Sequence, residues 1–359
     1  MKKAILLLTI VSFFYVSCSS DNTETPDYKK EIVTSVTNQI ILPNLNTLIE
    51  KSTALKNSVE EFSNNQNATN LLDLRSKLTS ITEFYAKMYI FNIGLAKNNF
   101  INRKINFWPV YNISIEKNIN EGNFTQSSIL NLGSAAKNLP GLNYLIFKEQ
   151  NATDLLKEYN LNANRIKYLK FITNEFHDNI KQLSSIWTST GSNYAESFKS
   201  NKEDGLLSSF NLLYNGLYNV IDNCKVAKIG KPSGLEKSSH TNPEIVESFY
   251  AENSLDLIYS NISSVEEIFF SDKITSISSY IKSITKSDDL NNRIKNKINI
   301  AKETIGLIKT PLKEAVNTDT DKVNVAKLHV TLKELLVLLH TDVRSVLSII
   351  ITGTDNDGD

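Results

Sequence analysis

Apolar residues recur at steps of three and four along most of the chain, which is the spacing of one face of an α-helix. Stretches with this spacing cover residues 28–62, 71–95, 155–187, 206–226, 255–270, 274–284, 294–316 and 323–351. Pro43 lies inside the first stretch and is expected to kink it, because proline has no amide hydrogen to donate to the preceding turn. The pattern therefore predicts a chain built mainly from long amphipathic helices.

Three stretches break this pattern. Residues 98–152 contain two prolines and several aromatic residues, and we expect an ordered cap with short helices there. Residues 188–203 are polar and are predicted to form a loop that closes a first unit, and residues 229–243 interrupt the second unit with a Gly/Pro/Ser-rich segment. Two helical blocks of about 150 residues each predict an all-α fold of two packed helical bundles. We place them at residues 28–203 and 204–359.

Residues 1–17 have the pattern of a secretory signal peptide. Lys2 and Lys3 precede an apolar run at residues 4–16, which is too short to span a bilayer. The following Ser17-Cys18 resembles the lipobox of bacterial lipoproteins, and this resemblance implies cleavage of the signal peptide and lipidation of Cys18. Residues 18–27 would then form a polar tether to a lipid anchor in the outer membrane. The folded part of the protein would face the periplasm or the cell surface. Plain secretion is the alternative.

Composition narrows the classes of function. The chain carries 39 Lys and Arg residues against 39 Asp and Glu residues, so it has no basic field and we expect no nucleic-acid partner. Twelve glycines and seven prolines are few for this length, which disfavours a β-sandwich or a Rossmann fold. If Cys18 is lipidated, only Cys224 remains as a free thiol, so neither an internal disulfide nor a cysteine metal cluster can form. Cys224 is expected to be a buried small side chain.

The four histidines do not form a recognisable ligand motif, and the chain has no His-Glu-x-x-His, Gly-x-Ser-x-Gly or phosphate-loop sequence. His329 and His340 would share a helix face, but about 16 Å along the axis separates them, which is too far for one metal ion. His177 is interpreted as part of a solvated ion pair with its acidic neighbours, and His240 lies in a polar loop. A Ser–His–Asp arrangement assembled in space stays open at this stage.

A set of ordered segments resembles a known family. The segments are IILPNL at 40–45, NFWPVYNISI at 106–115, LGSAAKNLPGLNYLIF at 132–147, KIGKPSG at 228–234, VESFYAENSLDL at 246–257, and the terminal DNDGD at 355–359. Together they resemble the imelysin-like family of bacterial envelope proteins, which is related to insulin-cleaving metalloprotease and to iron-regulated proteins. The resemblance implies two helical bundles with a candidate functional cleft between them.

The resemblance also bears on metal binding. Family members proposed to be metal-dependent carry Gly-x-His-x-x-Glu in the block that corresponds to residues 132–147. The resemblance places Asn138, Pro140 and Asn143 at the Gly, His and Glu of that motif. Proline offers no ligand atom and an asparagine amide is a weak, neutral ligand. We therefore expect no catalytic residue, no metal ligand and no cofactor, and iron or zinc enters only through the resemblance.

Two interpretations of the aromatic cap remain open: it plugs the end of the first bundle, or it forms one wall of a ligand cleft. The candidate cleft residues are Trp108, Pro109, Pro140, Asn143, Glu247 and Ser248. The leading functional hypothesis is a non-catalytic envelope lipoprotein that binds a small ligand or an envelope protein, with a link to iron uptake implied by the resemblance. The alternatives are a metallopeptidase of the imelysin family and a purely scaffolding lipoprotein.

Overall fold

A computed structural model describes residues 27–354 and 356, apart from the side chains of residues 126 and 129. The predicted signal peptide, Cys18 and the tether before residue 27 lie outside the described residues, as do residues 355 and 357–359. The structure is 75% helical and has no strand in its described part, which confirms the predicted all-α fold. No helix in that part combines the length and the apolar character that a membrane span requires.

The first part of the chain forms α1 (Tyr28–Val36), α2 (Leu42–Asn64), α3 (Ala68–Met88), α4 (Gly94–Asn98), α5 (Ile101–Ile105), α6 (Asn112–Glu121), α7 (Gln126–Leu130), α8 (Asn138–Phe147), α9 (Ala152–Leu161), α10 (Ala163–Trp187) and α11 (Tyr194–Ser200). The second part forms α12 (Ser209–Asn223), α13 (Ser254–Phe270), α14 (Ile277–Thr285), α15 (Asp289–Leu307), α16 (Leu312–Ala315), α17 (Asp319–Val337) and α18 (Arg344–Leu347). Wider π-helical turns connect α1 to α2, follow α12 and connect α17 to α18; they cover Thr37–Ile41, Cys224–Gly230 and Leu338–Val343.

The predicted irregularity near Pro43 takes the form of a π-helical turn. The amide of Leu42 donates to the carbonyl of Thr37, five residues earlier, and α2 begins directly afterwards with Pro43 in its first turn. A proline is tolerated there because the first amides of a helix have no intrahelical acceptor. The chain thus continues from α1 into α2 without a loop.

Two helix bounds differ from the prediction for local reasons. Helix α3 ends at Met88 rather than at residue 95, because a 3-10 turn follows and Gly94 takes a positive φ of 49°. The predicted helix at 155–187 is two helices, α9 and α10. Asn162 separates them in an extended conformation, and its side chain accepts a hydrogen bond from the amide of Asn164 at 3.0 Å.

Two further segments also differ. The predicted loop at 188–203 contains α11, which is anchored by aromatic contacts: the ring centroids of Tyr194 and Phe198 lie 4.9 and 5.5 Å from that of Trp187. The predicted helix at 294–316 ends early, at Leu307. Pro311 then precedes the short helix α16 instead of lying inside a long one, because a proline disfavours helical geometry in the residue before it.

Helices α2, α3 and α10 pack side by side, with α8 against α3 and α10. Helices α12, α13, α15 and α17 pack together in the second part. The two groups meet where α13 packs on α3 and α1 packs on α12, and one continuous hydrophobic core runs through both. The boundary between residues 203 and 204 stays a prediction.

Candidate functional site

A cleft of about 310 Å³ lies where the two groups of helices meet. Three segments form most of its walls: residues 106–112 of the aromatic cap, helix α8, and the loop that precedes α13. Its lining residues are Thr82, Asn106, Trp108, Pro109, Val110, Asn112, Leu139, Pro140, Asn143, Asn242, Glu244, Ile245, Val246, Glu247, Ser248, Phe249, Tyr250 and Leu257. Clefts of this size at the meeting of two helical units are common ligand sites.

The structure brings all six candidate cleft residues together on this one surface. They are Trp108, Pro109, Pro140, Asn143, Glu247 and Ser248. The other cap aromatics divide between two environments: Tyr144 and Phe147 are buried against the core, while Phe107 and Tyr111 are exposed. The cap aromatics therefore divide between the hydrophobic core and the surface, and Trp108 lines the cleft.

Asn143 connects helix α8 to the opposite loop. Its amide nitrogen donates to the hydroxyl of Ser248 at 2.9 Å, and its amide oxygen accepts from the backbone amide of Ala251 at 3.1 Å. Ser248 in turn donates to the side-chain oxygen of Asn253 at 2.6 Å. Both Ser248 and Glu252 have positive φ angles, so the loop turns sharply here and these bonds fix the turn in place.

A buried ion pair lies behind the loop. Lys228, in the π-helical turn after α12, contacts the carboxylate of Glu247 at 2.6 Å, and their side chains are only 5% and 4% exposed. The second carboxylate oxygen of Glu247 accepts from the amide of Asn106 at 2.7 Å. Lys228 also donates to Asn261 on α13 at 2.7 Å, and its ammonium lies 5.6 Å from the centroid of the Trp108 ring. Four segments of the chain are thus joined behind the cleft wall.

Burial perturbs the neighbouring titratable groups. It raises the pKa of the Tyr85 hydroxyl well above its usual range, and the negative charge of Glu247 adds to the effect. Burial also raises the pKa of the Cys224 thiol to about 12, although the nearby Lys228 opposes the shift. Cys224 is fully buried, which confirms the expectation of a buried small side chain.

Comparison with known proteins identifies the family. The family model described as Imelysin matches residues 41–339. The chain belongs to the imelysin family. No curated protein matches the chain.

Two solved structures share the imelysin fold with this chain. One is provisionally described as an iron-regulated protein A precursor, from Parabacteroides distasonis ATCC 8503; it has a TM-score of 0.74 at 20% identity and covers 91% of this chain and 97% of its own. The other is an imelysin-like protein from Psychrobacter arcticum 273-4, with a TM-score of 0.74 at 15% identity and the same coverage. At these identities the comparisons establish the fold.

The residues that this chain carries at the positions of the Gly-x-His-x-x-Glu motif do not fit a metal ion. Pro140 has no ligand atom, and the amide oxygen of Asn143 already accepts from Ala251. Glu247, a carboxylate that lines the same cleft, is held by Lys228 and Asn106. Among the described residues, no three His, Cys, Asp or Glu side chains lie close enough together to hold a metal.

The histidines occupy separate places, and one interpretation from the sequence is wrong. His177 does not form a solvated ion pair: it is 7% exposed, and its Nδ1 lies 2.9 Å from the hydroxyl of the fully buried Ser52, between α10 and α2. Burial lowers the pKa of His177. His329 contacts Glu236 at 2.9 Å, and His340 packs beside the ring of Tyr218.

Sequence reasoning missed Asn106 and Lys228. Both lie in segments that carried the family resemblance, so their positions could have been singled out. Their role could not, because Asn106 and Glu247 are separated by 141 residues and neither segment has a helical apolar pattern that would place it.

Proposed function

We propose that this imelysin-family protein binds a small ligand in the cleft between its two groups of helices and does not transform it chemically. The observation that carries the proposal is the ordered cleft wall, where Asn143, Glu247 and Ser248 are each held in place by hydrogen bonds or an ion pair. Preorganised polar groups in a concave, partly apolar site are typical of ligand pockets. A link to iron is supported only by the fold neighbour described as iron-regulated.

The chemistry of the lining favours a neutral or cationic ligand. The described cleft is lined by two carboxylates, Glu244 and Glu247, and by no lysine or arginine. Glu247 is neutralised by Lys228, which leaves Glu244 as the charge at the rim. Side-chain amides and aromatic rings make up much of the remaining surface, and these groups bind polar, ring-containing molecules without requiring a charge.

Tryptophan fluorescence tests the proposal directly. The chain has two tryptophans; Trp108 lines the cleft, whereas Trp187 is fully buried. In a Trp187→Phe variant, emission reports the cleft alone, and titration with panels of neutral, cationic and anionic small molecules should give saturable changes for the first two classes. Ile245→Arg, which fills the cleft, should abolish them. Ile113→Arg, a 67% exposed position in the same cap, is the matched control and should not.

Retention of the response in Ile245→Arg, or a preference for anions, would contradict the proposal. The metallopeptidase alternative is tested separately on purified residues 19–359. Stoichiometric iron or zinc together with chelator-sensitive peptide cleavage would establish it. A single stoichiometric protein partner in a pull-down, with no small molecule bound, would instead favour a scaffolding role.

The second part of the proposal concerns location. The protein is an outer-membrane lipoprotein of the bacterial envelope, acylated on Cys18 and tethered by residues 18–27. Support comes from the order of basic, apolar and small residues before Cys18. Mass spectrometry of the N-terminal peptide tests it: wild type should carry acyl chains on Cys18, and a Cys18→Ala variant should not. An unmodified N-terminal cysteine in the wild type would contradict it.

A further inference from the structure

Three exposed apolar side chains lie together near the start of α1. Leu206 and Leu207 occupy the 3-10 turn before α12 and are 47% and 62% exposed, and Ile350 is 43% exposed. A Cβ added at Gly205 would lie 3.7 Å from the Ile350 side chain, so the turn and the C-terminal segment are in contact. We call Leu206, Leu207 and Ile350 the apolar tip.

The apolar tip is held by hydrogen bonds on both sides. The carbonyl of Leu207 accepts from the side chain of Asn201 at 2.7 Å. The side chain of Asn211 donates to the carbonyl of Ile350 at 3.0 Å and accepts from its amide at 2.8 Å. Because the backbone is fixed, these side chains stay exposed instead of folding back onto the core.

A cavity of about 780 Å³ connects the apolar tip to the beginning of the described chain. Its walls include Asp27, Lys29 and Lys30 at the start of α1, and Gly205 and Ile349 beside the tip. Eight residues lie between Cys18 and Asp27, so the tether has nine steps of about 3.5 Å and reaches at most about 30 Å. A lipid anchor on Cys18 would therefore keep this end of the protein close to the bilayer.

We propose that the apolar tip inserts into the lipid surface to which Cys18 is anchored. This inference rests on the proposed lipidation of Cys18. Clustered apolar side chains at a fixed turn next to the tether would lose their contact with water in the interface of the bilayer. Single exposed leucines elsewhere, such as Leu161 on α9, need no such partner.

Positive and negative charges are balanced in the cavity beside the apolar tip. Four lysines and four acidic residues line the neighbouring cavity: Lys29, Lys30, Lys199, Lys202, Asp27, Glu196, Glu203 and Asp204. Because these charges balance, the contact depends on apolar burial rather than on attraction to anionic lipids. It should therefore change little between low and high salt.

The test uses the full lipidated chain in vesicles of phosphatidylethanolamine and phosphatidylglycerol. Leu207→Cys carries an environment-sensitive fluorophore, and Leu161→Cys, at an 85% exposed position, is the matched control. The native Cys224 is buried and so does not take up the label. We expect blue-shifted emission at position 207 and quenching by brominated lipids at least about twice that at position 161, with little salt dependence.

Three other outcomes would overturn the inference. An acylated chain whose two labels are quenched equally would overturn the insertion of the tip and leave the lipid anchor intact. A blue shift at position 207 without lipid quenching would mean that a second copy or another protein covers the tip, which also overturns the inference. Absence of acylation on Cys18 by mass spectrometry would overturn both the anchor and the inference.

Discussion

Replacing Lys228 by methionine should destabilise the protein strongly, because it removes one partner of a buried ion pair. The Lys228 and Glu247 side chains are 5% and 4% exposed, so water cannot solvate the carboxylate that remains. Methionine matches the length of the lysine stem, so the substitution leaves most of the packing in place. The lost interactions are the ion pair at 2.6 Å and the hydrogen bond to Asn261 at 2.7 Å.

The expected loss follows from the burial of the pair. Removing one partner of a buried pair costs about 3–5 kcal/mol, because an uncompensated charge stays in the interior. For the described part of the chain, about 330 residues, the entropy of unfolding is roughly 0.7 kcal/mol/K, so a loss of about 4 kcal/mol lowers Tm by roughly 6 °C. A control is the exposed pair of Lys170 and Glu60, which lie 2.7 Å apart with side chains 36% and 42% exposed. Lys170→Met should cost less than about 1 kcal/mol.

Equilibrium unfolding in guanidinium chloride measures both variants, and a third variant separates charge burial from packing. Lys228→Met/Glu247→Met removes both charges and should be more stable than Lys228→Met alone, because no isolated charge remains. Two results would refute the reasoning. One is a cost for Lys228→Met no larger than that for Lys170→Met, and the other is a double variant less stable than the single one.

Three further predictions concern separate parts of the structure. Cys224 should not react with a thiol reagent in the folded protein at pH 8, since burial raises its pKa to about 12, and it should react fully in denaturant; rapid labelling of the native chain would contradict this. The pKa of His177 is lowered in the fold, so the unfolded state binds more protons, and the free energy of unfolding should fall as the pH drops below about 6.5. The His177→Gln variant should show a flatter dependence of that free energy on pH. The Ser52→Ala variant loses the contact with His177 and should cost about 1 kcal/mol in unfolding titrations. Gly216→Ala should destabilise the protein by more than about 1 kcal/mol, because the added Cβ would lie 2.4 Å from the carbonyl oxygen of Ile90. Gly306→Ala has open space around the added Cβ and should stabilise the protein by up to about 1 kcal/mol. Equal effects of the two substitutions in thermal unfolding would refute this steric argument.

The helices were predictable because their apolar spacing is a local property of the sequence. The continuous run through α1 and α2 follows from residues such as Ile32, Val36 and Leu45, all buried as the pattern predicts. The missed breaks depend on backbone geometry that periodicity does not encode. Gly94 requires a positive φ, and a Cβ there would meet the Tyr194 side chain from a distant part of the chain.

The candidate cleft was predictable only in part. The family resemblance drew attention to Trp108, Pro140 and Asn143, and the structure places them on one cleft. The contacts that give these residues their geometry are long-range: the bond from Asn143 to Ser248 spans 105 residues. No local pattern specifies such a pairing, because loop residues are positioned by the helices that they connect.

The state of Glu247 favours binding over acid–base chemistry at the cleft. A general base must have a carboxylate oxygen within hydrogen-bond reach of the substrate proton. One oxygen of Glu247 accepts from Asn106 and the other contacts Lys228, and both contacts are below 2.8 Å. For Glu247 to act as a base, the ion pair would have to open and leave the ammonium of Lys228 buried without its partner, at a cost similar to that of the substitutions above. The same interactions that fix the cleft wall therefore occupy both oxygens of Glu247, and a ligand that enters the cleft meets a wall that is already formed.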